Sequence, residues 1–286
     1  VTWEIMYKVG SRQERKTING VSHFIEHLMF KGTKKRPTTK ALSQELDAVG
    51  AEYNAFTSKD TTSYYIQTDT GNMKLGADML SDMLRHSKFE RKEMERERNV
   101  IVEELNSYRD NPIMHIDELF ESLIFKGAPL GWEIGGPREV IKTIPYNHLI
   151  DFRNTFYYPG NMVIGLAGGF TEKDAVKLVD RHFPLAKKTH AKATIRPFAW
   201  SQKKPRAIVE YKDTTQAQMM LGFPGVSHTH RDNEALILLS VIVGGTMSSR
   251  LFINIRERKG LAYDVRSSSE SFEDTGYFGV RLSLDK

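Results

Sequence analysis

The first nine residues alternate. Val1, Trp3, Ile5, Tyr7 and Val9 are separated by Thr2, Glu4, Met6 and Lys8, a period of two that predicts a strand with one face in a core. Residues 61–69 are rich in β-branched and aromatic side chains and predict a second strand, and residues 163–168 a third. Helical spacing takes over elsewhere. Leu42, Glu45, Leu46 and Val49 share one face, and Gly50 follows as a stop signal. Met73, Ala77, Leu80 and Leu84 repeat at helical spacing within residues 72–86, and a highly charged helix is expected over 88–108. Pro145 opens another helix at a position where a missing N–H costs little. Residues 172–182 predict a further one.

Residues 187–206 contain Pro197 and Pro205, lack a period and read as a linker. Beyond them the pattern predicts strands over 207–212 and 218–223. A helix over 232–243 follows, stopped by Gly244 and Gly245, and then a helix over 248–258. Strands then helices, with no regular βαβ alternation, predict an α+β fold. The second segment starts over with the same kinds of element. The expected organisation is therefore a domain over 1–186, a linker over 187–206 and a partial second domain over 207–286. The chain opens on Val1 inside a strand pattern and closes on another over 277–284, so both ends look cut. No signal peptide is visible, and a cytoplasmic location is the default expectation, with an N-terminal segment missing.

Composition narrows the chemistry. The 286 residues have the apolar and charged fractions of a soluble globular chain, and no apolar run is long enough to span a membrane. There are no cysteines, so any metal must be held by His, Asp or Glu. The net charge of +5 first points to a polyanion. The seven Lys and Arg of residues 187–206, unaccompanied by any acid, account for all of it. Nucleic acid is therefore not an expected partner.

The sharpest motif is His23-Phe24-Ile25-Glu26-His27, within a helical stretch over 21–31. Two histidines four apart project from one face of a helix and can share an ion. Glu26 would flank the metal and could take a proton from its water. Two histidines on an amphipathic helix make the same pattern without a metal, so the motif alone leaves both readings open. Glu97 and Glu104 lie two turns apart on one face of the charged helix. Glu104 is the expected third ligand, and Glu97 is placed to orient a ligating histidine. His86, His115, His148, His182 and His190 have no partner at ligand spacing, and His228 and His230 read as part of a polar loop.

At this point the chain resembles the pitrilysin-type metallopeptidases, the group that includes insulin-degrading enzyme and mitochondrial processing peptidase. Residues 20–33, GVSHFIEHLMFKGT, match that family's zinc helix, with Ser22 where Ala is more usual. The family's third ligand follows the second histidine by 76 or 77 positions, and Glu104 lies 77 after His27. The family's acidic residue seven before that ligand matches Glu97. Residues 50–57, GAEYNAFT, resemble the segment whose strand edge pairs with extended substrate, implicating Asn54, Ala55 and Phe56. Residues 244–252 and 256–263 resemble the family's second-half signature. There an Arg and a Tyr seven apart reach the substrate, as Arg256 and Tyr263 would.

The resemblance implies two homologous α+β domains, each a mostly antiparallel sheet packed with helices, with the second truncated here. It implies one Zn²⁺ on His23, His27 and Glu104, with catalysis by Glu26. A peptide substrate follows, and so does either a second homologous half or a homodimer or heterodimer partner. Processing peptidases carry two acids after the zinc Glu that bind a presequence Arg. Glu118 fits one position and Met114 departs from the other, so general oligopeptide or unfolded-segment cleavage is expected at least as much as presequence cleavage. The alternative is a catalytically inactive partner or scaffold subunit of the same fold.

Overall fold

The computed structural model describes residues 1–184, 195 and 197–285. In chain order the elements are β1 (Thr2–Tyr7), α1 (Val21–Met29), α2 (Thr39–Asp47), β2 (Glu52–Thr57), β3 (Thr62–Gln67) and α3 (Met73–His86). Then come α4 (Arg91–Asp110), α5 (Pro112–Ile124), α6 (Arg138–Ile141), α7 (Tyr146–Phe156), β4 (Met162–Ala167) and α8 (Glu172–His182). The remainder are β5 (Gln216–Gly225), α9 (Asn233–Ser240), β6 (Ala262–Ser271) and β7 (Gly276–Asp285). No described helix is long and apolar enough to cross a membrane.

The chain forms two compact units, Val1–Leu105 with Glu133–Thr194, and Asn106–Trp132 with Ile195–Lys286. The first is built on an antiparallel sheet of order β2-β3-β1-β4. The alternation in β1 is a burial pattern: Trp3, Ile5 and Tyr7 are all buried at the centre of the sheet. Helix α3 lies against it with Met73, Ala77, Leu80 and Leu84 inward. Trp3 Nε1 donates to Met73 O at 3.0 Å. Gly76 allows this close approach, since a Cβ there would sit 2.9 Å from the indole. Strand β2 pairs with β3 alone and so forms one edge of the sheet.

The second unit has an antiparallel sheet of order β5-β7-β6. Its core is Phe120 and Ile124 of α5 with Phe125, Leu130 and Tyr277, joined by Phe198, Trp200, Met220 and Phe272. Helix α5 packs so closely that a Cβ on Gly222 would fall 2.0 Å from Phe120 Cζ. The compact units therefore differ from a division at 186 and 207. The apolar face of α5 finds its partner in β5 and β7, downstream. Of the expected linker 187–206, residues 187–194 and 196 lie outside the described residues. Phe198 and Trp200 pack on Phe125 at ring separations of 5.1 and 5.6 Å.

One expected strand is corrected. Residues 207–212 form no strand and join no sheet among the described residues. Val209 and Tyr211 are largely exposed, so the alternation reflects no buried face. The segment is tied by side chains to α5 and to the end of α4 instead. Glu210 pairs with His115 at 3.0 Å, and Lys212 donates to the Arg109 carbonyl. The helices expected over 232–243 and 248–258 end or run in wider π-type turns, Val241–Gly245 and Phe252–Glu257.

Candidate metal centre

Helix α1 begins at Gly20, whose φ of 95° is left-handed and which has no side chain to cap the first N–H groups. Glu14 supplies the missing acceptor. Its Oε2 accepts from Gly20 N at 2.7 Å and Asn19 Nδ2 at 2.8 Å, and its Oε1 accepts from Ser22 N at 2.8 Å. A carboxylate at a helix N-terminus is favourably placed. Burial nevertheless pushes Glu14 up to about 7, against the lowering effect of these donors. Asn19 also donates to Glu133 O at 2.9 Å, which ties the start of α1 to the loop containing Gly135 and Gly136. A Cβ on Gly135 would lie 2.5 Å from Leu105 of α4 and 3.6 Å from His23 Nδ1. That glycine touches the helix of the histidines and the helix of Glu104 together.

One turn of α1 separates His23 from His27 and brings their Nε2 atoms to 3.2 Å. Glu104 Oε2 lies 3.1 Å from His27 Nε2 and 3.6 Å from His23 Nε2. Two ligands bound to zinc at about 2.05 Å with a tetrahedral angle sit roughly 3.3 Å apart. The three separations therefore fit a zinc ion, and the two-nitrogen, one-oxygen donor set suits it. These three are the cluster of potential metal-holding groups among the described residues. On the other nitrogen of His27, Nδ1 meets Glu97 Oε1 at 2.9 Å, and Glu97 Oε2 meets Lys31 Nζ at 2.5 Å. His23 Nδ1 is buried with no hydrogen-bond partner among the described residues.

The electrostatics split the two histidines. Burial, helped by the neighbouring His27, lowers His23 to about 4. Burial also acts to lower His27, but hydrogen bonds to Glu104 and Glu97 outweigh it and raise the group to about 9. Glu97 is itself held low, because His27 and Lys31 overcome its burial. Glu26 is raised by burial, and its Oε2 accepts from Thr57 Oγ1 at 2.5 Å.

The other sequence-derived residues are placed as follows. Asn54, Ala55 and Phe56 lie on the edge strand β2, with Asn54 and Phe56 exposed and Ala55 buried. The Ala55 N–H is satisfied by Asn54 Oδ1 at 2.9 Å. Glu118 lies on α5, with His115 Nδ1 at 3.7 Å. Arg256 Nη1 donates to Tyr263 O at 2.9 Å, and the guanidinium sits 4.6 Å over the Tyr263 ring. Glu118, Arg256 and Tyr263 all belong to the second unit. Sequence reasoning missed Glu14, Lys31 and Thr57. Lys31 lies just past the end of α1, four residues after His27. Glu14 had no local signature.

A helix carrying H-x-x-E-H, facing a glutamate from a second helix, is the site of a metallopeptidase class. Residues 1–138 match the sequence profile described as Insulinase (Peptidase family M16), and residues 143–286 match Peptidase M16 inactive domain. The uncharacterized zinc protease YmxG of Bacillus subtilis is 36% identical over 272 residues, which is 95% of this chain and 65% of that protein. The mitochondrial-processing peptidase subunit beta of Caenorhabditis elegans is 35% identical over 284 residues, 96% of this chain and 61% of that one. A protease from Helicobacter pylori superposes with a TM-score of 0.90 at 25% identity, over 99% of this chain and 70% of that structure. The chain belongs to peptidase family M16. It spans 61% to 68% of the length of the curated relatives it matches.

Proposed function

We propose that this chain is the zinc-binding part of an endopeptidase that hydrolyses peptide bonds in oligopeptides or in unfolded and targeting segments. The observation that carries the reading is the convergence of His23 Nε2, His27 Nε2 and Glu104 Oε2 within 3.1–3.6 Å, with Glu26 one residue before His27. A zinc ion held by these three would polarise a peptide carbonyl and make a water readily deprotonated.

The chain's own residues do the rest. Glu26 accepts the water proton at its carboxylate and returns one to the leaving amine. Burial strengthens its hold on a proton, which suits a group that must carry one between two steps. Glu97 fixes the His27 ring, and Lys31 balances the Glu97 charge. The outer edge of β2, at Asn54, Ala55 and Phe56, offers backbone groups to an extended peptide once the Asn54 side chain releases the Ala55 N–H, giving affinity with loose sequence preference. Arg256 and Tyr263 are assigned to the carbonyl oxygen as it gains charge, and Glu118 to a basic substrate side chain. A second homologous half or a dimer partner is part of the same proposal, because relatives extend well beyond this chain and one of them is a named subunit.

Elemental analysis should give one zinc per chain. Glu26→Gln should keep that zinc and lose turnover of an unfolded peptide. Equal turnover by Glu26→Gln and the parent sinks the mechanism. The profile matching residues 143–286 is named an inactive domain, and this favours a second reading, in which that half is a scaffold and Arg256 and Tyr263 do not touch substrate. One equivalent of zinc with no hydrolysis of any unfolded peptide would extend that role to the whole chain.

A further inference from the structure

Glu26 accepts one side-chain hydrogen bond among the described residues, and it comes from outside its own helix. Thr57 Oγ1 donates to Glu26 Oε2 at 2.5 Å. Thr57 is the last residue of β2, opposite Thr62 in the β2–β3 register. Its neighbour continues the pairing, with Ser58 N donating to Thr61 O at 2.7 Å. Thr62 Oγ1 in turn donates to Val9 O at 2.8 Å. The threonine backbone is therefore fixed on the sheet, and a β-branched side chain is stiff about χ1.

The glutamate is the opposite case. Its side chain has three rotatable bonds, and α1 constrains only its Cα. A carboxylate that must meet a water in one orientation gains from a donor that locks one oxygen and leaves the other available. Thr57 has this geometry: it engages Oε2, and Oε1 makes no hydrogen bond among the described residues.

We propose that Thr57 is a positioning residue for Glu26, orienting the carboxylate for proton transfer. The assignment rests on the reading of Glu26 as the proton acceptor. It also makes a single strand responsible for two tasks. The strand that ends by holding the base is the one whose edge, three residues earlier at Asn54, is assigned to the substrate backbone. An extended peptide pairing with β2 would then meet a base already aimed.

Three variants test this in the full-length gene product that carries this sequence. Thr57→Val removes the hydroxyl at nearly constant shape, Thr57→Ser restores it, and Glu26→Gln is the reference. All three should bind one zinc with affinity near that of the parent. Thr57→Val should lose roughly 10²-fold in kcat, the scale of a misplaced reacting group, with KM nearly unchanged. Thr57→Ser should recover most of that loss, and a general packing defect would not give this split between kcat, KM and metal content. A second readout does not depend on turnover. In cobalt-substituted protein, Thr57→Val should change the visible absorption in the same direction as Glu26→Gln, while Thr57→Ser matches the parent. An unchanged cobalt spectrum in Thr57→Val overturns the positioning role. So does an unchanged kcat where Glu26→Gln abolishes turnover. A parent that binds zinc and hydrolyses nothing overturns the peptidase reading instead, and the cobalt spectra still decide the part played by Thr57.

Discussion

Glu97 Oε1 lies 2.9 Å from His27 Nδ1, and this contact leaves His27 Nε2 as the nitrogen that meets Glu104 at 3.1 Å. Glu97 and Glu104 are two turns apart on α4, so a single rigid helix sets both ends of the ring. A carboxylate on the far nitrogen fixes the tautomer and raises ligand basicity. Glu97→Gln keeps an acceptor but loses the charge. It should weaken zinc binding about 10–100-fold while leaving the fold intact, as measured by competition with a chelating dye. Unchanged affinity would show that Glu97 serves Lys31 alone.

Metal affinity should depend on pH through His27. In the metal-free protein His27 holds its proton up to about 9, whereas His23, lowered to about 4, is already neutral. Binding must therefore displace one proton below pH 9. Apparent zinc affinity should rise about tenfold per pH unit between roughly 6 and 9 and level off above. A flat profile over that window would place the proton elsewhere.

Glu14 should leave a mark on stability with the opposite sense to that of an ordinary paired carboxylate. Its pKa rises from 4.5 to about 7 in the folded protein, so between those values the native state binds more protons than the unfolded state. Its contribution is most favourable below pH 4.5, falls as pH rises to 7, and is constant above. The slope is at most about 1.4 kcal/mol per pH unit. Urea unfolding of metal-free protein at several pH values should show this component, and Glu14→Gln should remove it. Identical pH profiles for the two proteins would count against it.

The second unit offers a packing test. Gly222 faces Phe120 with room for no Cβ. Gly222→Val should lower stability by at least the 1–3 kcal/mol typical of overpacking, and Phe120→Ala by about 3–5 kcal/mol. Combined, they should cost less than their sum, because the cavity left by one receives the side chain of the other. Strict additivity of the unfolding free energies would mean that the two do not share one space.

The candidate metal centre was legible because its parts are periodic. His23 and His27 are one turn apart, Glu97 and Glu104 are two, and helical geometry alone aligns each pair. The distance along the chain to Glu104 came from the family resemblance, not from any local rule. What escaped was contact between segments with no shared period. Glu14 caps a helix whose N-cap, Gly20, lies six residues later, across a loop with no capping signature. Thr57 closes a recognised edge segment, but its bond to Glu26 spans 31 residues. In the second unit the alternation of residues 207–212 promised a strand. Alternation implies a strand only where a partner edge exists, and α5 holds that stretch by side chains instead. Phe198 and Trp200 were hidden in a stretch dominated by Lys, Arg and Pro, where charge masked two aromatic anchors.

His27 and Glu104 are brought together across 77 residues in a chain without a cysteine. A cation shared between them would therefore do for this molecule what a disulfide does elsewhere. It would close a long loop and strip entropy from the unfolded chain, by an amount equivalent to about 4.5 kcal/mol for a covalent link of that span. Loss of the ion would then be felt first as a mechanical event. Helices α1 and α4 would be left with side-chain pairs such as His27–Glu97 to hold them, and the chain would become easier to unfold and to digest well before any question of turnover arose.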